Sequence, residues 1–252
     1  MRLFVALLPP RPVRDELARA LAPHREHWPR LRWTDPDDWH LTLAFLGEVA
    51  EELLPALRTR LARAASRYEP MTLAFAGAGA FPSARRARVL WAGLRGGGSR
   101  GGDAPYGGDA PHGGGSRGGD APYGGDAPHG GGSRGDDAPY GGAAGGDAGP
   151  RGGGSHGGRS GIVRLADSVG AAARREGIAV DERRFRPHLT LARARTRGDV
   201  DLRPLVEALA PFAGGPWEAD AVHLMRSHLG GRVRYETVER WPLRARASRG
   251  QG

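Results

Sequence analysis

The 252-residue sequence has no cysteine and no lysine. Without cysteine there can be no disulfide framework, thiolate zinc site or cysteine nucleophile, and the redox compartment is left open. Without lysine there can be no Walker-type phosphate loop, because that loop needs a lysine on the β- and γ-phosphates. Long apolar runs are also missing. The run Leu3–Leu8 stops at Pro9 and Pro10, too short for a signal-peptide core or a membrane span. It reads as a buried first strand, and the expectation is a soluble, cytoplasmic protein with no membrane partner.

Glycine is plentiful but unevenly spread. Of 42 glycines, 29 fall among the 66 residues from Gly96 to Gly161, which leaves 13 in the other 186, an ordinary share for a globular chain. About 186 residues are therefore available to fold, enough for one good core. Charge divides at the same boundary. The glycine-rich segment has five arginines and seven aspartates, so the rest carries more than the whole chain's formal +9. A basic surface favours an anionic partner such as RNA. All 37 basic residues are arginine, which also fits the coding bias of a GC-rich genome.

The glycine-rich segment repeats with a period of 17: Gly96–His112 recurs as Gly113–His129, and a decayed third copy begins at Gly130. No copy holds Leu, Ile, Val or Phe, so none can bury an apolar face against the entropy of ordering its glycines. A disordered insert is expected over 96–161, and its His112, His129 and His156 are too far apart for a metal-binding tract.

On either side, hydrophobic spacing predicts regular elements. Strands are expected at Arg2–Leu8, His40–Leu43, Met71–Phe75, Arg88–Leu94, His188–Ala192, Ala219–Met225 and Arg232–Val238. Helices are expected from Pro12, from Glu51 to Arg67, from Ile162 to Glu176 and from Leu202 to Leu209. That order describes an α+β fold of two similar halves rather than a parallel α/β fold.

One short pattern occurs twice, His40-Leu41-Thr42-Leu43 and His188-Leu189-Thr190-Leu191. In a strand, residues i and i+2 share a face, so each histidine lies beside its threonine while the leucines face the other way. If the halves pack about a pseudo-two-fold axis, two imidazoles and two hydroxyls converge on one cleft. That set suits a phosphodiester: one histidine acts as base on the attacking water, the other as acid on the leaving oxygen, and the threonines donate to non-bridging oxygens. Arg193 could add a cation, but at i+3 from Thr190 simple alternation puts it on the leucine face. Other histidines are poorer candidates. His24 and His27 read as exposed helix-end residues, and His223 and His228 read as isolated.

Around these motifs the chain resembles the 2H phosphoesterases, and within them the RNA 2′,3′-cyclic phosphodiesterases also described as 2′-5′ RNA ligases. The resemblance rests on Met1–Ala6, Trp39–Glu48, Gly79–Ser83 with Arg88–Trp91, Phe185–Arg193 and Leu224–Ser227. It implies a bilobal fold with two pseudo-two-fold-related lobes of antiparallel sheet and helices about a central cleft, and no metal or cofactor. It further implies that His40 is the proton donor and His188 the proton acceptor, an asymmetry that the residue pattern cannot assign. Thr42, Thr190 and Arg193 would bind the phosphate. Residues 1–95 and 162–246 would form one catalytic domain, with a tail at 247–252. The expected partner is RNA with a 2′,3′-cyclic phosphate end, tRNA fragments or small cyclic nucleotides included, and a monomer is favoured. Reversible 2′-5′ ligation and a non-catalytic RNA end-binding module are the alternatives.

Overall fold

The computed structural model describes residues 1–96, 160–181, 184–195, 199–228 and 233–244. The expected disorder of the insert concerns residues that, from 97 to 159, lie outside this set, as does the tail at 247–252. The chain opens with β1 (Arg2–Leu7), which ends at the Pro9-Pro10 pair, and α1 (Arg11–Arg25) follows. Pro12 lies in the first turn of α1, where a missing N–H leaves no bond unmade, and Val13, Leu17 and Leu21 form its buried stripe. Next come β2 (Leu31–Trp33), a 3₁₀ turn at Pro36–Asp38 and β3 (Leu41–Glu48). A second 3₁₀ turn, Glu51–Leu53, leads into α2 (Leu54–Ala65), with Pro55 in its first turn, so the regular helix begins three residues later than expected.

After α2 come β4 (Met71–Phe81), β5 (Val89–Gly96), α3 (Gly161–Arg174), β6 (Leu189–Ala194), α4 (Arg203–Leu209), β7 (Trp217–Ala219), β8 (Ala221–His228) and β9 (Arg234–Pro242). The expected order holds, with β2 and β7 added; at three residues each they are too short to show a period. β4 also runs further than the alternation suggests. A register shift between Phe75 and Ala78, with Gly77 at φ 61°, interrupts the pattern without ending the strand.

The strands form two antiparallel sheets, in the orders β3-β1-β8-β9 and β2-β6-β5-β4-β7. The sheets do not follow the halves of the sequence. β1, which pairs with β3 on one side, pairs on the other with β8 from the far end of the chain, while β6, beyond the insert, pairs with β5 and β2 from before it. Helix α3 packs on α2 and on β3, and α4 packs on β4. Along β1, Leu3, Val5 and Leu7 enter the main core, whereas Phe4 and Ala6 face the other way and join Met225 in a small separate cluster. That second face carries the first of the paired motifs.

Candidate active site

Both motif strands carry the same irregularity. In β3, Ala6 pairs with Thr42 and Val5 with Ala44, so Leu43 is the extra residue of a bulge. In β6, Trp91 pairs with Thr190 and Leu90 with Ala192, so Leu191 is the extra residue. Each bulge buries two consecutive residues, Leu43 with Ala44 and Leu191 with Ala192, and so shifts the alternation by one position. The residue three beyond each threonine consequently returns to the threonine's face. Arg193 is thus on the face of Thr190, which corrects the expectation from simple alternation. Phe45 is its counterpart in β3.

The two histidines immediately precede their strands and are held alike. His40 Nδ1 donates to the Asp38 carbonyl at 2.7 Å, and His188 Nδ1 donates to the Arg186 carbonyl at 2.7 Å. A carbonyl can only accept, so each Nδ1 carries the hydrogen and each Nε2 is the atom presented to a substrate. The Asp38 carbonyl is positioned by the 3₁₀ turn: the Asp35 carboxylate accepts the Asp37 N–H at 3.0 Å, and Trp39, next in sequence, is buried. β3 and β6 contact one another, and His40 lies near enough to His188 and Arg193 to feel their charge.

Aromatic rings wall each imidazole. His40 lies 4.7 Å from Phe4 and 4.8 Å, edge-on, from Tyr235. His188 lies 5.0 Å, edge-on, from Phe81 and 6.3 Å from Trp91. Trp91 can take this position only because residue 79 is glycine, since a Cβ there would come within 2.2 Å of the indole. Tyr235 lies outside the segments that carry the sequence resemblance, and its role as a wall of His40 depends on β9 joining β1 through β8.

Burial in these walls depresses both histidines. His40 is pushed down to about 4, first by desolvation and further by Arg193 and His188, against the opposing pull of the Asp38 carbonyl. His188 is lowered by burial and then by Arg193, again against its carbonyl bond. Arg193 is itself lowered by burial, favoured by Tyr235 and disfavoured by Arg32, its register partner on β2. Two guanidinium groups directly opposite one another across a sheet are unfavourable, and an anion between the motifs would relieve them. Burial raises Tyr235, while Arg193 opposes that shift. Burial therefore favours the neutral form of both imidazoles, and the positive charge beside them comes from arginine.

The other described histidines are scattered. His24 lies in the last turn of α1, and His27 donates to the Pro23 carbonyl at 2.8 Å. His228 pairs with Glu236 at 2.8 Å. His223, read from sequence as isolated, lies opposite Ala6 and so shares the face of Thr42 one strand away. Among the described residues, no group of three or more His, Cys, Asp or Glu could hold a metal ion, and no helix is long and apolar enough to cross a membrane.

The family model described as LigT like phosphoesterase matches residues 7–91 and 155–235, spanning both motifs. The chain belongs to this LigT-like phosphoesterase family. Similar proteins include the RNA 2′,3′-cyclic phosphodiesterase of Archaeoglobus fulgidus, 34% identical over 38% of this chain and 52% of that one. The RNA 2′,3′-cyclic phosphodiesterase of Geobacillus stearothermophilus is 22% identical over 84% of this chain and 47% of its own length. The chain thus spans about half the length of these curated relatives. In fold it is similar to TT0787 of Thermus thermophilus, with a TM-score of 0.61 and 24% identity over 98% of this chain and all of that one. It is also similar to Escherichia coli LigT complexed with 3′-AMP, with a TM-score of 0.57 and 23% identity over 96% and 97% of the two chains.

Proposed function

We propose that this phosphoesterase hydrolyses RNA 2′,3′-cyclic phosphate ends to 2′-phosphomonoesters by acid/base catalysis with its two histidines. The observation that carries this reading is the matched pair of imidazoles, each with Nδ1 fixed on a backbone carbonyl and Nε2 left for substrate. Relatives named RNA 2′,3′-cyclic phosphodiesterase and a structural neighbour that holds 3′-AMP support the choice of substrate.

In this mechanism His188 Nε2 takes a proton from water as the water oxygen attacks phosphorus. His40 Nε2 gives a proton to the departing ribose 3′-oxygen, and the phosphate remains on the 2′-oxygen. The donor must first be charged, which its burial opposes; the negative phosphate restores that proton when it binds. The Thr42 and Thr190 hydroxyls and Arg193 hold the non-bridging oxygens as charge develops. Residues 1–95 with 162–246 are the catalytic unit, and the insert plays no part in the chemistry.

Product analysis on a cyclic-phosphate-ended oligonucleotide, in buffer containing chelator, tests this reading. The expected product is the 2′-monophosphate, formed at the same rate by a variant in which a short Gly/Ser linker replaces the insert. An intact cyclic end after prolonged incubation, or activity abolished by the chelator, would overturn it.

A further inference from the structure

Arg32 lies directly opposite Arg193 in the β2–β6 register, and partners across a ladder share a face, so Arg32 is on the cleft side with Thr190. It is exposed, and among the described residues it forms no ion pair and no hydrogen bond. Neither β2 nor β6 holds an acidic residue. The charge of Arg32 is felt by Arg193 beside it and by Tyr235 on the other sheet. β2 is also the outermost strand of its sheet, so an extended ligand crossing Arg32 meets no further strand of that sheet.

We infer that Arg32 is a second phosphate site, which holds the phosphodiester joining the reacting nucleotide to the rest of the RNA. The inference rests on the reading of the site as an RNA cyclic phosphodiesterase and adds how the enzyme distinguishes an RNA end from a lone cyclic nucleotide. A cyclic phosphate has two non-bridging oxygens, and in the proposed mechanism Thr42, Thr190 and Arg193 supply their donors. Arg32 is left over for another anion. Neighbouring strands are about 4.8 Å apart, and a long arginine arm extends that reach to the next phosphate along the chain, one ribose away. Like charges directly opposite one another destabilise a sheet. An RNA end places an anion at each guanidinium, whereas a mononucleotide places one only at Arg193. Contact with a backbone phosphate carries no sequence information, so the preference is for a chain and not for a base.

The test compares a nucleoside 2′,3′-cyclic phosphate with dinucleotides that carry the same cyclic end and whose internal linkage is either phosphodiester or uncharged methylphosphonate. Wild type should turn over the phosphodiester dinucleotide with kcat/KM about 10-fold above the methylphosphonate one, the low end for a hydrogen bond to a charged group. Arg32→Met should abolish that difference, and Arg32→Lys, which keeps the charge, should retain most of it. With the phosphodiester dinucleotide, the slope of log kcat/KM against log salt concentration should become shallower by about 0.7 in Arg32→Met, the loss expected for one phosphate contact on a single strand. No methylphosphonate penalty in wild type, or a penalty that persists in Arg32→Met, overturns the inference. So does Arg32→Met slowing the mononucleotide as much as the dinucleotide, which would put Arg32 on the reacting phosphate. These outcomes leave the phosphodiesterase reading intact. If no cyclic end is opened, that reading fails, and calorimetric titration with the two dinucleotides ending in a 2′-monophosphate decides the subsite. Tighter binding of the phosphodiester form that is lost in Arg32→Met supports it; equal binding of both forms by wild type overturns it.

Discussion

The half-site of His40 and the half-site of His188 share a backbone and differ in their surroundings. In each, Nδ1 is bound to the carbonyl two residues back, threonine follows two residues on, and a bulge at the next leucine returns the third residue after threonine to the same face. The shared device fixes Nδ1 on a backbone carbonyl and leaves Nε2 of each ring free of that bond. The differences fix what each side can hold: the His188 side has Arg193, paired with Arg32, whereas the His40 side has exposed Phe45 and the Tyr235 wall. A duplicated geometry thus presents one imidazole from each half in the same way, while the surroundings that changed between the copies give one half a cation and the other an exposed ring.

Breaking the shared device should have the largest effect. His40→Ala and His188→Ala should each lower kcat by about 10² to 10⁴-fold, and the double variant should lose less than the product of the two, because acid and base act in one step. Near-normal single turnover by either variant would mean that the halves are not a working pair. Removing the cation of one half should come next. Arg193→Met should lower kcat/KM by roughly 10- to 100-fold, as expected for loss of a charged hydrogen bond. Because Arg193 depresses both histidines, both limbs of the pH–rate profile should move to higher pH; limbs that stay in place would place Arg193 outside the electrostatics of the pair.

Gly79→Ala sharpens the comparison by disturbing one wall only. The added Cβ would meet the Trp91 indole, so about 1–3 kcal/mol of stability should be lost to overpacking. In NMR spectra the His188 ring signals should shift much more than those of His40. Thr42→Val and Thr190→Val should have smaller and similar effects, about 5- to 10-fold in kcat/KM for one hydrogen bond each; a large inequality would show that phosphate leans on one half.

A separate expected effect concerns stability against pH. His40 falls from 6.5 to about 4 on folding, so between those values the unfolded chain binds more protons. Its contribution is therefore complete above pH 6.5 and is lost as pH falls toward 4. His188 acts in the same direction. Denaturant unfolding at pH 7 and pH 5 should show a decline that is shallower in His40→Asn; equal slopes would mean that His40 is not held neutral by burial.

Much of this was legible from residue order. The stripe of Val13, Leu17 and Leu21, the Pro55 start of α2 and the two His-x-Thr strands follow from local periodicity, which tertiary packing here obeys. Arg193 was not legible as a face-sharing residue, because a bulge is a property of two strands: Leu191 is extra only relative to Leu90 and Trp91 on β5. Tyr235 was hidden for a similar reason, since it reaches His40 only through the order β3-β1-β8-β9.

By itself, then, the sequence determined the chemical inventory and its local geometry: two imidazole-hydroxyl pairs on strands, and no thiolate or lysine chemistry. These are short-range consequences of residue type and of the two-residue period of a strand. Tertiary structure alone decided that strands from opposite ends of the chain would share sheets, that paired bulges would turn Arg193 and Phe45 to the threonine side, and that burial would keep both histidines neutral. Register, bulging and desolvation depend on which strand lies alongside, and that is set by hydrophobic contacts between residues far apart in the chain.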